Sequence, residues 1–449
     1  MAPAAGKQAS IWALGGAIGP MVLMILSRRP IVDNSFLWHI TAGHVQSSAR
    51  RVLTADPFSF SRLGVPWRTQ SWLIELGYAW ADRMFGVAFG QFVAPIVGLL
   101  LFGVLMAIAQ VKARAGLATA LVLAGTVILL VPFLQPRPVI VSYLALAVLV
   151  LVVHQPKVHW TIPLIVWVWA ASHGSFPLAF VLLATTWFST RQASLVRAGL
   201  AAAVTLPLTA HGIGLVSVLS GFAQSGAALD KISEWQAPDL LELKFLPVTI
   251  AIPIVVRYLA REGVGLRNGL PVLAWFVFGL SAVRSVPLAW IVLFPLIVQS
   301  TDSLLGGRFT TSRLRTALVT WVGIVLIVFP LALPRGDALN ETRFPLEAAE
   351  LLMAERVFHD DITGGFLIYR HWPDRLVYVD DRAEVYGDEL VRFAEVRNGS
   401  GDWQETFDEW DFEQALVRKA DAISTVMTAD PRWTLTFEDE TFAIFSRSR

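Results

Sequence analysis

The chain has no cysteine among its 449 residues. That excludes a disulfide framework, a zinc–thiolate site and a thiol nucleophile, and leaves the redox compartment unreadable. Charge is scarce as well: 16% of residues are Asp, Glu, Lys or Arg, against about 25% in an average soluble domain. The 36 basic and 35 acidic residues nearly cancel to a net +1, so no bulk charge argues for a nucleic acid or an acidic partner. Internal repeats and low-complexity tracts are absent. No small-residue cleavage site follows the first apolar run at 11–26, which has Lys7 before it and Ser27-Arg28-Arg29-Pro30 after it. That run is expected to stay as a membrane span.

What is present is apolar. Hydrophobic residues make up 55% of the chain, with 17 Trp and 27 Phe. A helix needs about 20 mostly apolar residues to cross a bilayer. Candidate spans are 10–27, 87–110, 116–134, 138–154, 159–174, 176–190, 197–219, 244–260, 267–283, 286–300 and 314–334. The expected fold is therefore an α-helical polytopic membrane protein with about eleven transmembrane helices, the count uncertain by two.

Basic residues in short loops set orientation. Lys112 and Arg114, Lys157, Arg191 and Arg197, then Arg257, Arg261 and Arg267, then Arg308, Arg313 and Arg315 follow alternate spans. This puts the N-terminus inside and the C-terminus outside, although Arg28 and Arg29 then lie outside.

Two connections on the outer side are long, 28–86 and 219–243, and belong with the membrane domain 1–336. From 337 to 449 acidic residues become dense and long apolar runs stop, as expected of a small extracytoplasmic α/β domain. Its pattern predicts helices over 345–355, 388–397 and 411–419, a strand over 376–380, and a hairpin of 433–437 with 441–445 turning at Glu438-Asp439-Glu440.

Chemistry has few places to sit. Asp33 directly follows the first span and precedes Trp38 and His39. It suits a helix N-cap, and it also suits a carboxylate at the membrane surface beside Arg28, Arg29 and His39. Asp56-Pro57 reads as a turn, or as the second half of a carboxylate pair with Asp33 for a metal or general base. Arg137, His173, His211 and Arg284 fall near the outer ends of spans. Each suits a snorkelling interfacial residue; together they outline an outward polar pocket with cationic walls, suited to a phosphate. Asp380-Asp381-Arg382 reads more simply as an internal salt-bridge network than as a site. Gly364-Gly365 lacks the surroundings of a phosphate loop.

Taken together, Asp33…Trp38-His39…Gly43, Asp56-Pro57-Phe58-Ser59-Phe60, Pro66-Trp67 and Trp72…Glu75 resemble the first outer loop of a group of bacterial membrane proteins similar to the GT-C glycosyltransferases. Arg137-Pro138, Trp169…His173-Gly174-Ser175, Glu234-Trp235, Arg284 and the tail from Gly364 to Phe445 fit the same group. The resemblance implies a multi-pass protein of the bacterial plasma membrane. Such a protein moves a sugar from a polyprenyl-phosphate carrier to an extracytoplasmic glycan, lipid or protein. It implies Asp33 as catalytic base. Arg28, Arg29, His39, Asp56, Trp67, Glu75, Arg137, His173 and Arg284 would bind substrate. Mg or Mn would be a cofactor if Asp33 and Asp56 hold one. Asn34 stands where the family's second acid is expected, Ser172 replaces an Asn, and Ala210-His211-Gly212 replaces an Asn-Pro-aromatic-Gly motif. The rival readings are a non-catalytic scaffold with a degenerate fold and, third, a transporter.

Overall fold

The computed structural model describes residues 19, 21–23, 25–27, 29–112, 116–215, 233–305, 338–400 and 402–448. The expected last span (314–334), most of the first, and Lys7, Arg28, Arg114, Arg308, Arg313 and Arg315 lie outside the described residues. These residues form two compact units. One draws on Met1–Arg29, Gly90–Ile213 and Ile232–Gly336; the other draws on Pro30–Phe89, Gly214–Lys231 and Asp337–Arg449. The long connection after the first span thus folds with the C-terminal segment, whereas the sequence suggests grouping it with the spans.

The second of these units begins with α1 (Asn34–Ala49) and α2 (Trp72–Phe85). Asp33 caps α1, its carboxylate accepting the Phe36 amide at 3.0 Å. The helix is buried nearly all round from Asn34 to Gly43, so it is a core element rather than a surface one. Gly43 faces α2 so closely that a Cβ there would lie 1.9 Å from the Glu75 carbonyl oxygen.

The membrane unit follows with α3 (Gly90–Lys112), α4 (Gly116–Leu130), α5 (Val139–Val152), α6 (Ile162–Ser172), α7 (Pro177–Thr190), α8 (Ala193–Thr205), α9 (Leu246–Arg261), α10 (Leu266–Ser281) and α11 (Val286–Leu304). Several start on proline at their first or second position, including Pro163, Pro177, Pro247 and Pro287, where the missing N–H has no helical partner to lose. α11 is the hub, packed against α3, α4, α5, α9 and α10. Its Trp290 indole donates to Thr126 of α4 at 2.9 Å, and Ile291, Phe294 and Val298 have no exposed surface. On the periphery Ile250, Val256, Leu273 and Val277 are exposed, as suits a lipid-facing surface.

Among the described residues three helices are long and apolar enough to cross a membrane: Val87–Ala109, Leu243–Arg261 and Val283–Leu304. Four more apolar helices are shorter, Leu117–Phe133, Val139–Val152, Pro177–Thr190 and Ala193–Leu208. This chain is therefore a mostly helical protein with membrane-spanning elements and a small C-terminal sheet.

The remainder of the second unit holds that sheet. Its strands are β1 (Val357–His359), β2 (Gln414–Arg418), β3 (Trp433–Glu438) and β4 (Phe442–Arg447), in the order β1-β2-β4-β3. β1 and β2 run parallel; β4 is antiparallel to both β2 and β3. The hairpin and the helix Asp388–Arg397 form as expected.

Three expectations are corrected. Residues 411–419 hold β2, not a helix, because Ala415-Leu416-Val417 is a short buried run at the centre of the sheet, which periodicity cannot tell from helix. Residues 376–380 make a single bridge, Val377 to Ser59, rather than a strand of the sheet. The helix expected over 345–355 is confined to Leu346–Glu350.

Helix α12 (Asp361–His371) carries the Gly-Gly pair and packs on α1. A Cβ on Gly364 would meet the Val379 carbonyl oxygen at 1.9 Å, and one on Gly365 the Asn34 carbonyl oxygen at 2.7 Å. Backbone bonds join the two chain segments: Ile31 to Ala338 at 2.8 Å, and Phe60 and Val377 to each other's neighbourhood at 3.0 Å.

These approaches separate the glycines. Gly43→Ala forces α1 and α2 apart, a cost of about 1–3 kcal/mol, and is expected to lower the melting temperature of the solubilised protein. Gly77→Ala sits on the same helix pair with nothing within 4 Å and is expected to raise it slightly, by at most about 1 kcal/mol of helix propensity. Thermal melts of the two variants side by side check this.

Candidate functional site

In the second unit, which holds the sheet, polar residues form two buried knots. The first joins α1 to α2. His39 Nδ1 lies 2.7 Å from Glu75, which also accepts bonds from Gln46 at 2.5 Å and from the Thr69 hydroxyl. Glu75 has no exposed surface, and the His39 ring lies 3.6 Å from that of Trp38. Glu75 and His39, both expected at a substrate site, are here spent on holding two helices together. Asp33 is buried, 4% exposed. Burial, with the charges of Asp33 and Glu75 adding to it, raises the Tyr78 phenol well above its ordinary value.

The second knot is centred on Arg382, which with Asp56 and Asp380 has no exposed side-chain surface. Its Nη1 donates to Asp56 at 2.8 Å, its Nε to Asp380 at 2.7 Å and its Nη2 to Asp380 at 2.5 Å. The Tyr386 hydroxyl donates to Asp380 at 2.8 Å. Aromatic rings enclose the guanidinium: Trp67 at 4.6 Å, Phe58 at 5.1 Å and Trp38 at 5.7 Å. Burial presses this guanidinium toward neutrality, but the charge of Asp380, with that of Asp56, outweighs it and holds the pKa well above the arginine value. Trp67 also donates to Glu384 at 3.1 Å, and burial raises the Glu384 carboxyl. Asp381 accepts from Trp38 at 2.7 Å and from Ser35. The Asp380-Asp381-Arg382 run is thus the internal network the sequence suggested, with Asp56 as a partner it did not reveal.

Asp56 is fully engaged. Besides Arg382 it accepts the amides of Phe58 at 3.1 Å and Ser59 at 3.2 Å, and the Ser59 hydroxyl. Among the described residues no group of three or more His, Asp or Glu is arranged to hold a metal ion. Asp56 therefore does not fit the role of a divalent-cation ligand.

The membrane unit carries a different polar cluster. Arg137, just before α5, lies 3.5 Å from Glu234. Arg284, just before α11, stacks on Trp235 at 4.5 Å, and the Val283 amide donates to Gln236 at 2.9 Å. Arg284 is within electrostatic reach of Glu234, Tyr143 and Arg137. Tyr143 follows Ser142, whose hydroxyl lies 3.0 Å from His173 Nδ1 and accepts from Trp169 at 2.9 Å and Ser175 at 2.8 Å. Arg137 and Arg284 thus share Glu234 and Tyr143 as charged or polar neighbours, while His173 bonds to Ser142, the residue before Tyr143. Arg29 is exposed, Arg28 lies outside the described residues, and His211 is buried in a turn after α8. Ser142 and Tyr143, unremarkable inside an apolar run, were not legible as members.

Magnitudes rank these features. The exposed pair Arg370–Glu350 contributes at most about 1 kcal/mol. Removing Arg382 strands two buried carboxylates, a loss of about 3–5 kcal/mol. Arg382→Met is expected to lower the denaturation midpoint of the sheet-bearing unit sharply. Adding Asp56→Asn and Asp380→Asn is expected to restore part of it. Denaturant titration of the three proteins reads this directly.

No protein-family model matches this chain, and no curated protein matches it either, so its function rests on the chemistry of the site.

Proposed function

We propose that this protein is a GT-C-like membrane glycosyltransferase, moving a sugar from a polyprenyl-phosphate carrier to an acceptor outside a bacterial plasma membrane. The observation that carries this reading is the Arg137–Arg284 pair on the membrane unit, two half-buried cations sharing Glu234 and adjoining the His173–Ser142 hydrogen bonds. Such a site attracts a phosphate diester, and arginine's planar fork matches phosphate geometry.

In this reading Asp33 takes the proton of an acceptor hydroxyl. The oxygen attacks the anomeric carbon in line, the bond to the carrier phosphate breaks, and configuration inverts. The arginines stabilise the charge that develops on the departing phosphate. About eleven spans, an inner N-terminus and an external C-terminal unit belong to the same reading. A second reading is a non-catalytic scaffold, favoured by the full engagement of Asp56.

Asp33→Asn tests the two cleanly, because Asn caps a helix about as well as Asp while it removes the base. With the protein present at its normal level and melting temperature, surface glycan or glycolipid is expected to fall. Carrier-linked sugar should accumulate as transfer slows by at least about 100-fold. An unaltered glycan profile overturns the transferase reading. The scaffold reading then expects loss of function from deletion of 337–449 alone.

A further inference from the structure

A cavity of about 180 Å³ opens between α5, α7, α10 and α11 in the membrane unit. Its lining is split by chemistry. Polar groups gather where α5 and α7 end and α10 begins, in His154, Ser189, Thr190 and Asn268. Deeper along the helices the walls are Leu182, Val272 and Leu293. Trp275 donates its indole N–H to Thr185 at 3.1 Å and ties α10 to α7.

The polar end is strongly basic. Arg267 donates from Nε to the Phe188 carbonyl at 3.2 Å, and Ser189 of the lining donates to the Arg267 carbonyl at 3.3 Å. Arg191 follows Thr190 of the lining and holds its guanidinium 4.8 Å from the Trp187 ring and 5.1 Å from that of Phe188. Both arginines are exposed. The helix-end segments 153–161, 188–197 and 257–268 hold six Lys or Arg (157, 191, 197, 257, 261 and 267) against one acid, Glu262.

We propose that this cavity binds an anionic glycerophospholipid. Its phosphate would sit at the Arg191–Arg267 rim, bonded to the hydroxyl and amide groups, and an acyl chain would lie against the leucines below. Basic pockets between membrane helices hold anionic headgroups, and arginine pairs phosphate bidentately. A zwitterionic lipid does not neutralise the rim, and a soluble phosphate makes no use of the apolar wall. This site is separate from the Arg137–Arg284 cluster and does not rest on the transferase reading.

The test is native mass spectrometry of the full chain, released from vesicles of phosphatidylcholine with about 20% phosphatidylglycerol as the anionic lipid that a basic pocket selects. One phosphatidylglycerol is expected to stay bound per chain. Retention should fall at least about five-fold in Arg191→Gln with Arg267→Gln, and likewise in Ser189→Phe, which fills the cavity and leaves the charges in place. If the double variant does not fold, Ser189→Phe decides. Equal retention in the folded variants, or equal retention of phosphatidylcholine, overturns the proposal. Displacement of the lipid by glycerol phosphate also overturns it, by showing a site for a soluble phosphate.

Discussion

A guanidinium with no exposed surface lies between two carboxylates from opposite parts of the chain, and the sheet-bearing unit is arranged round it. Arg382 reaches Asp56 across 326 residues of sequence and Asp380 across two. An unpaired charge at such depth would be intolerable, so the loop carrying Asp56 and the turn carrying Asp380 stay together or the unit opens. Trp67, Phe58 and Trp38 complete the enclosure with ring faces that attract the cation. The residues that resemble a first outer loop are therefore the inner wall of a folded domain.

Helix packing in that unit depends on the same economy of space. Gly43 and Gly364 sit where a methyl group would strike a carbonyl oxygen at 1.9 Å, which sets α1 against α2 and α12 against the Val379 backbone. The His39–Glu75–Gln46 bonds then pair the carboxylate that this close contact buries, although the Gln46 side-chain oxygen is left without a partner among the described residues. In the membrane unit the order is reversed. Apolar side chains of α11 fill the interior, and polar groups within the helices are paired with one another, as Trp290 is with Thr126 and Trp275 with Thr185, as expected where the surroundings cannot solvate them.

Much of this was readable in the sequence. The apolar runs locate the helices, Asp33 announces a cap, and the Glu438-Asp439-Glu440 turn announces a hairpin. Arg137, His173 and Arg284 stand out in the sequence because each interrupts an apolar run. The failures share one cause. Periodicity is local, and β2, the Val377–Ser59 bridge and the Asp56–Arg382 pair are decided by partners dozens to hundreds of residues away. Gly364-Gly365, which the sequence shows only to lack the surroundings of a phosphate loop, is explained by the backbones packed against it.

That the loop after the first span and the C-terminal segment are one folded body round Arg382 is most directly tested by native-state hydrogen exchange on the full-length protein. Amides of α1, from Phe36 to Gln46, and of β2, from Ala415 to Val417, are expected to open with the same free energy and the same denaturant dependence, as parts of one cooperative unit. Exchange of α1 through a separate, lower-energy opening while β2 stays protected would contradict it.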